Sequence, residues 1–94
     1  MTESAEARLK RMRMRAWRRG TKEMDLILGP FADAQLAGLD AAALEDFDAL
    51  LSENDHDLYA WITGAAAVPA RFSGLIATVG AHARGRLRAG SSPA

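Results

Sequence analysis

The stretch Arg18-Arg19-Gly20-Thr21-Lys22-Glu23 holds the most concentrated chemistry of this sequence. Two guanidinium groups, a turn glycine and a carboxylate fall within one short corner. Arginine forks pair bidentately with carboxylates and also grip carbonyl oxygens. A glycine, lacking a side chain, lets a second backbone come close. Glu23, in the first turn of a following helix, can favour that helix's positive end or hold an arginine in one rotamer. The corner therefore reads either as a capped helix–turn–helix junction or as a contact surface for another protein. The residues alone leave both readings open.

The other candidate chemistry is thinner. Asp55-His56-Asp57 has the composition of a ligand set, but three consecutive residues at a helix start point in different directions and do not converge on a metal. His82, late on the last helical pattern, is expected at the surface. Ser4, Ser52, Ser73, Ser91 and Ser92 sit in no nucleophile elbow. The absence of cysteine removes disulfides, thiolate metal sites, iron–sulfur clusters and a cysteine nucleophile. No glycine-rich phosphate loop occurs. The expectation is a binding module, with no catalytic residue, no metal site and no stably bound cofactor.

The charges are unevenly placed. Eight bases and no acid lie between Arg8 and Lys22, and ten acids and no base lie between Glu23 and Asp57. Arg71, Arg84, Arg86 and Arg88 restore a net charge of zero. Either the two blocks pair in the folded chain, or the first forms a basic face. A basic face would suit nucleic-acid phosphates or an anionic membrane surface. The acids that follow at once, and a pI near 6.7, weigh against nucleic acid. The narrow apolar face from Leu9 to Trp17 weighs against the membrane. No run approaches the roughly 18 apolar residues of a membrane span, and no secretory pattern opens the chain. Arginine outnumbers lysine ten to two, as in GC-rich bacterial genomes. A cytoplasmic, bacterial location is expected.

The elements that position these groups read as helices throughout. Leu9, Met12 and Ala16, widened by Met14 and Trp17, make a basic amphipathic helix. Gly20 after it suits a left-handed helix stop. Met24, Ile27, Leu28 and Phe31 complete a second stripe, in which Pro30 should kink or restart the helix. Asp40 suits the N-cap of a third helix carrying Leu44, Phe47, Leu50 and Leu51. Asp55 suits the cap of a short fourth one with Leu58, Trp61 and Ile62, stopped by Gly64. Pro69 opens a fifth, with Phe72, Leu75, Ile76 and Val79. No stretch alternates as a strand would. Ninety-four residues can bury about 64% of the extended chain's surface, enough for one modest core. The fold class is all-α, a compact five-helix bundle with short connections. One domain is expected over residues 1–88, with a flexible C-terminal tail over 89–94.

Arg19-Gly20-Thr21-Lys22-Glu23 matches the RGxxE signature of the succinate dehydrogenase assembly factor family. Asp25-Leu26-Ile27-Leu28 and Pro30-Phe31 resemble the continuation of that signature. Leu50-Leu51 followed by Asp55-His56-Asp57-Leu58-Tyr59-Ala60-Trp61 resembles the family's second landmark. The resemblance covers Arg8 to Trp61, and the last helix more loosely. It implies a compact five-helix bundle that binds the flavoprotein subunit of succinate dehydrogenase, and in some bacteria that of fumarate reductase. Binding promotes covalent attachment of FAD to a histidine of the flavoprotein. The FAD and the acceptor histidine then belong to the partner, so neither His56 nor His82 has that role. By motif position the resemblance gives Arg19, Gly20 and Glu23 as partner-binding residues, with Arg18 and Asp25 as neighbours. Asp55 and Asp57 would contact the partner or cap the fourth helix, and Trp61 would lie in the core. The chain would be an accessory factor rather than an enzyme, a monomer when free, with no nucleic acid bound and no stable membrane insertion.

Overall fold

Helices begin in this chain where a short polar side chain can accept from an otherwise unpaired amide. Ser4 accepts from the Ala7 amide at 3.1 Å and opens α1, Ala5–Trp17. Thr21 accepts from Met24 at 3.3 Å and opens α2, Lys22–Gln35. Asp40 accepts from Ala43 at 2.8 Å and opens α3, Ala41–Leu50, as its position in the sequence suggests. The fourth helix, α4, Asp55–Thr63, departs from expectation. Its cap is Asn54, which accepts from the Asp57 amide at 2.8 Å, while the Asn54 amide group donates to the Asp57 carboxylate at 2.9 Å. Asp55 is left free for another task. A 3₁₀ turn, Ala70–Phe72, follows Pro69 and leads into α5, Ser73–Ser91. The computed structural model describes residues 3–91, and among them there is no strand. The tail expected from residue 89 thus meets a helix that is described as far as Ser91, and residues 92–94 lie outside the described ones.

Two glycine-related expectations resolve differently. Gly64 has φ 81° and ends α4 in the left-handed conformation that favours glycine. Gly20 does not have it: Gly64 is the only positive-φ glycine among the described residues. Helix α1 already ends at Trp17, and Arg18 at φ −123° turns the chain. Gly20 makes a close approach instead: a Cβ there would lie 3.1 Å from the Asp55 Oδ2, so that carboxylate would have to give by a few tenths of an ångström.

Pro30 does not restart its helix, since α2 runs through it to Gln35. A proline lacks the amide that the carbonyl four residues earlier would accept. That carbonyl belongs to Leu26, and the Arg86 Nη1 on α5 donates to it at 3.0 Å. The defect in one helix is thereby mended by a side chain from another.

The core collects Met12 from α1, Met24, Leu28 and Phe31 from α2, Phe47 and Leu50 from α3, Leu58 from α4 and Val79 from α5, all fully buried. Full burial of side chains of this size stabilises by about 1.5–3 kcal/mol each. The rings of Phe31 and Phe47 meet at 5.6 Å between centroids, and Trp61 packs on Phe72 at 5.9 Å. Trp61 is thus partly buried against the core. Trp17 and Met14, expected to widen the core stripe of α1, are instead 41% and 43% exposed. Trp17 lies flat on Gly29, where any Cβ would collide with its ring, and its indole N–H donates to Asp33 at 3.1 Å. His82 is half-buried rather than at the surface, its ring edge-on to Phe31 at 5.6 Å.

The charge blocks pair across helices. Arg11 binds both oxygens of Asp48 on α3, at 2.9 and 2.8 Å, and also Glu3 at 2.9 Å. Arg8 and Arg15 approach the same Asp48 at 3.5 and 3.8 Å. The hydrogen bonds from Arg11 hold the Asp48 carboxyl below its ordinary value, against the opposing effect of burial. A carboxylate depressed in the folded state stabilises fully above its unfolded value, near pH 4, and that contribution is lost as pH falls through the folded value. We therefore expect Asp48→Asn to cost about 1 kcal/mol at pH 7 and progressively less below about pH 4. Urea denaturation of both proteins at pH 7 and pH 3 checks this through the convergence of their stabilities.

Candidate functional site

The Arg19 side chain extends from the α1–α2 corner across to the loop between α3 and α4. Its Nε donates to Asp55 Oδ1 at 2.7 Å. Its Nη1 donates to the Leu51 carbonyl at 2.7 Å, and its Nη2 to the Glu53 carbonyl at 2.6 Å. The Arg19 and Asp55 side chains are only 9% and 10% exposed. A guanidinium this buried needs acceptors around its whole fork, and the end of α3 supplies them. Leu51 is available because α3 has just ended, so its carbonyl is among those left without a helical donor.

The backbone of the same corner is held as firmly. The Arg19 amide donates to Asp25 Oδ1 at 2.6 Å, and the Thr21 amide donates to Asp55 Oδ2 at 2.9 Å. Asp55 thus grips the corner twice, once through a guanidinium and once through an amide. Gly20 lies between these two contacts, pressed against the Asp55 carboxylate. Its small size and the carboxylate's position are one requirement.

Of the seven residues singled out in the sequence, four therefore converge: Arg19, Gly20, Asp25 and Asp55 form the clamp itself. Glu23 stands beside it, exposed, in the first turn of α2. With Thr21, Asp55, His56 and Tyr59 it lines a shallow groove of about 290 Å³. Asp57 is exposed and engaged with Asn54, and Arg18 is exposed on the α1 side, where it borders a second groove with Arg11, Met14, Arg15 and Arg19. The described residues contain no group of three His, Asp or Glu side chains placed to hold a metal ion.

The structure adds residues that the sequence reading passed over. Leu26 and Tyr59 are large apolar groups 48% and 46% exposed, on adjoining turns of α2 and α4. Leu26 falls off the Met24–Ile27–Leu28–Phe31 stripe, and an apolar residue off its stripe is the signal that could have found it. Asp48 had no comparable signal, because its role depends on which way α3 packs on α1.

The family model described as flavinator of succinate dehydrogenase matches residues 10–83. The chain belongs to that family. Three relatives are all named succinate dehydrogenase assembly factor 2, mitochondrial. The protein of Mycosarcoma maydis is 38% identical over 79 residues, 84% of this chain and 33% of the relative. That of Aspergillus terreus is 46% identical over 46 residues, 49% of this chain and 16% of the relative. That of Debaryomyces hansenii is 38% identical over 61 residues, 65% of this chain and 43% of the relative. The matched part of this chain spans less than half the length of each. These relatives are mitochondrial by name, in contrast to the bacterial location expected from composition. Among the described residues no helix is long and apolar enough to cross a membrane. In this flavinator-family chain Arg19 turns inward and Glu23 faces solvent.

That division predicts opposite consequences for stability. Asp55→Ala leaves the buried Arg19 guanidinium uncompensated, and should lower stability by about 2–4 kcal/mol in chemical denaturation. Glu23→Ala, at an exposed position, should change it by no more than about 0.5 kcal/mol.

Proposed function

We propose that this chain binds the flavoprotein subunit of succinate dehydrogenase and promotes covalent attachment of FAD to a histidine of that subunit. It acts as an accessory protein, and fumarate reductase offers a related client. The observation that carries this reading is the clamp: Arg19 and Asp55 fix the corner from within, so Glu23 is presented on a rigid frame beside the groove of His56 and Tyr59. A carboxylate held in that way can engage a partner with little ordering cost.

FAD is assigned to the client rather than to this chain. The first turns of α2 and α4 carry Glu23 and Asp25, and Asp55 and Asp57, beside capped N-termini. Acids there repel a diphosphate, which needs open amides at a positive helix end. At these two helix starts the residues do not favour the diphosphate of FAD.

Joining a flavin to an imidazole requires both in near-attack geometry within the flavoprotein. It also requires stabilisation of the charge that develops on the ring. A small rigid bundle that binds one domain arrangement of its client better than others shifts the population toward that arrangement. Arg19, Gly20, Asp25 and Asp55 keep the corner's shape, while Glu23, with Arg18 and Asp57 at its margins, makes contact. The chain is read as a monomer when free, and its location follows that of the client.

The nucleic-acid and membrane readings lose their support in the ion pairs. Arg8, Arg11 and Arg15 converge on Asp48, and Arg19 on Asp55. Half of the basic block is paired with acids of this chain, Arg19 nearly buried and the other three partly exposed.

In-gel flavin fluorescence of the denatured flavoprotein tests the proposal, because covalent flavin survives denaturation. Deleting this gene in its source organism should abolish the signal. The wild-type gene should restore it, whereas Glu23→Ala and Gly20→Arg should not. Unchanged fluorescence on deletion would overturn the proposed function.

A further inference from the structure

A larger groove adjoins the corner. It has a volume of about 660 Å³ and lies between α2, α4 and α5. Leu26, Tyr59, Ile62 and Gly80 give it apolar walls, and Arg84 and Arg86 stand on its α5 side. Tyr59 also lines the groove that holds Glu23, so the two grooves share a wall residue. Two of the four large apolar side chains exposed among the described residues, Leu26 and Tyr59, line this one groove. The exposed surface of a small protein seldom groups such side chains without a partner.

The cationic side of the groove is ordered in advance. Pro30 leaves the Leu26 carbonyl without a helical donor, and Arg86 Nη1 fills that place at 3.0 Å. The Arg86 fork is thereby held at the groove with its remaining N–H groups available. Arg84 lies over Gly80, its Nη1 3.1 Å from where a Cβ would be. Neither arginine forms an ion pair among the described residues. The exposed Glu23 carboxylate thus shares Tyr59 with an apolar groove that carries two guanidiniums without an ion pair among the described residues. That arrangement specifies its complement.

We infer that this groove docks a segment of the flavoprotein subunit in which an apolar side chain is followed by a carboxylate. The apolar side chain enters between Leu26 and Tyr59, and the carboxylate accepts from Arg84 and Arg86. The corner and the groove form one contact surface, with Glu23 at its acidic end. The choice of client rests on the function proposed above.

The test is a binding titration of the flavoprotein subunit, purified without covalent flavin from a strain lacking this gene. Leu26→Asn and Arg84→Glu should each weaken binding by at least about tenfold, as anchors in a docking surface do. Arg84→Lys, which keeps the charge but not the fork, should lose less affinity than Arg84→Glu. Melting temperatures should stay at the wild-type value, since both positions are exposed and on different helices. If one variant unfolds, the other decides. Wild-type affinity in both Leu26→Asn and Arg84→Glu, alongside tight binding by the unmodified protein, would overturn the docking proposal and leave the proposed function standing. So would a dimer of this chain that Leu26→Asn dissolves without loss of client affinity. Failure of the unmodified protein to bind the flavoprotein at all would instead sink the proposed function.

Discussion

A guanidinium that is nearly out of reach of water has to be surrounded by acceptors, and the rest of this structure is arranged around meeting that demand for Arg19. Two of the acceptors are main-chain carbonyls just past the end of α3, and the third is a carboxylate at the start of α4. The α3–α4 connection therefore cannot move without leaving a buried charge unpaired, at a cost of several kcal/mol. Because Asp55 also accepts from the Thr21 amide, the start of α2 is fixed by the same group. Three helices meet at one ion pair. At the glycine between Arg19 and Thr21 a side chain would crowd the Asp55 carboxylate.

This explains how a short signature can act over a surface larger than itself. The arginine and the glycine act inside the fold. The glutamate acts outside it, on a first turn whose direction they set. For the accessory role proposed above, rigidity of this kind would be the working property. A preformed surface selects one arrangement of its client at low entropic cost, whereas a flexible one would first have to be ordered.

Much of this was legible in the sequence, and the parts that were not share a cause. The stripe Met24–Ile27–Leu28–Phe31, the Asp40 cap and the Gly64 stop are local signals, and the structure follows them. Asp55 as a helix cap was also a local inference, and it failed because Asn54 caps equally well and Arg19, 36 residues away, takes the carboxylate. Pro30 suggested a break, yet the broken hydrogen bond is replaced from 60 residues further along the chain. Trp17 fits the period of a core residue, but Gly29 opposite it offers a flat seat near the surface. In each case a distant partner outweighed a sound local preference. The clamp residues were singled out by type and motif, while the inward direction of Arg19 required the fold.

The central claim is that Arg19 and Asp55 act on each other, and a double-mutant cycle measures that directly. Stability would be determined by chemical denaturation for the wild type, Arg19→Ala, Asp55→Ala and the double variant. The account predicts a coupling energy of about 2 kcal/mol, with the double variant well short of the sum of the single losses. Additive losses, with a coupling below about 0.5 kcal/mol, would contradict it and return the signature arginine to the surface as a direct contact.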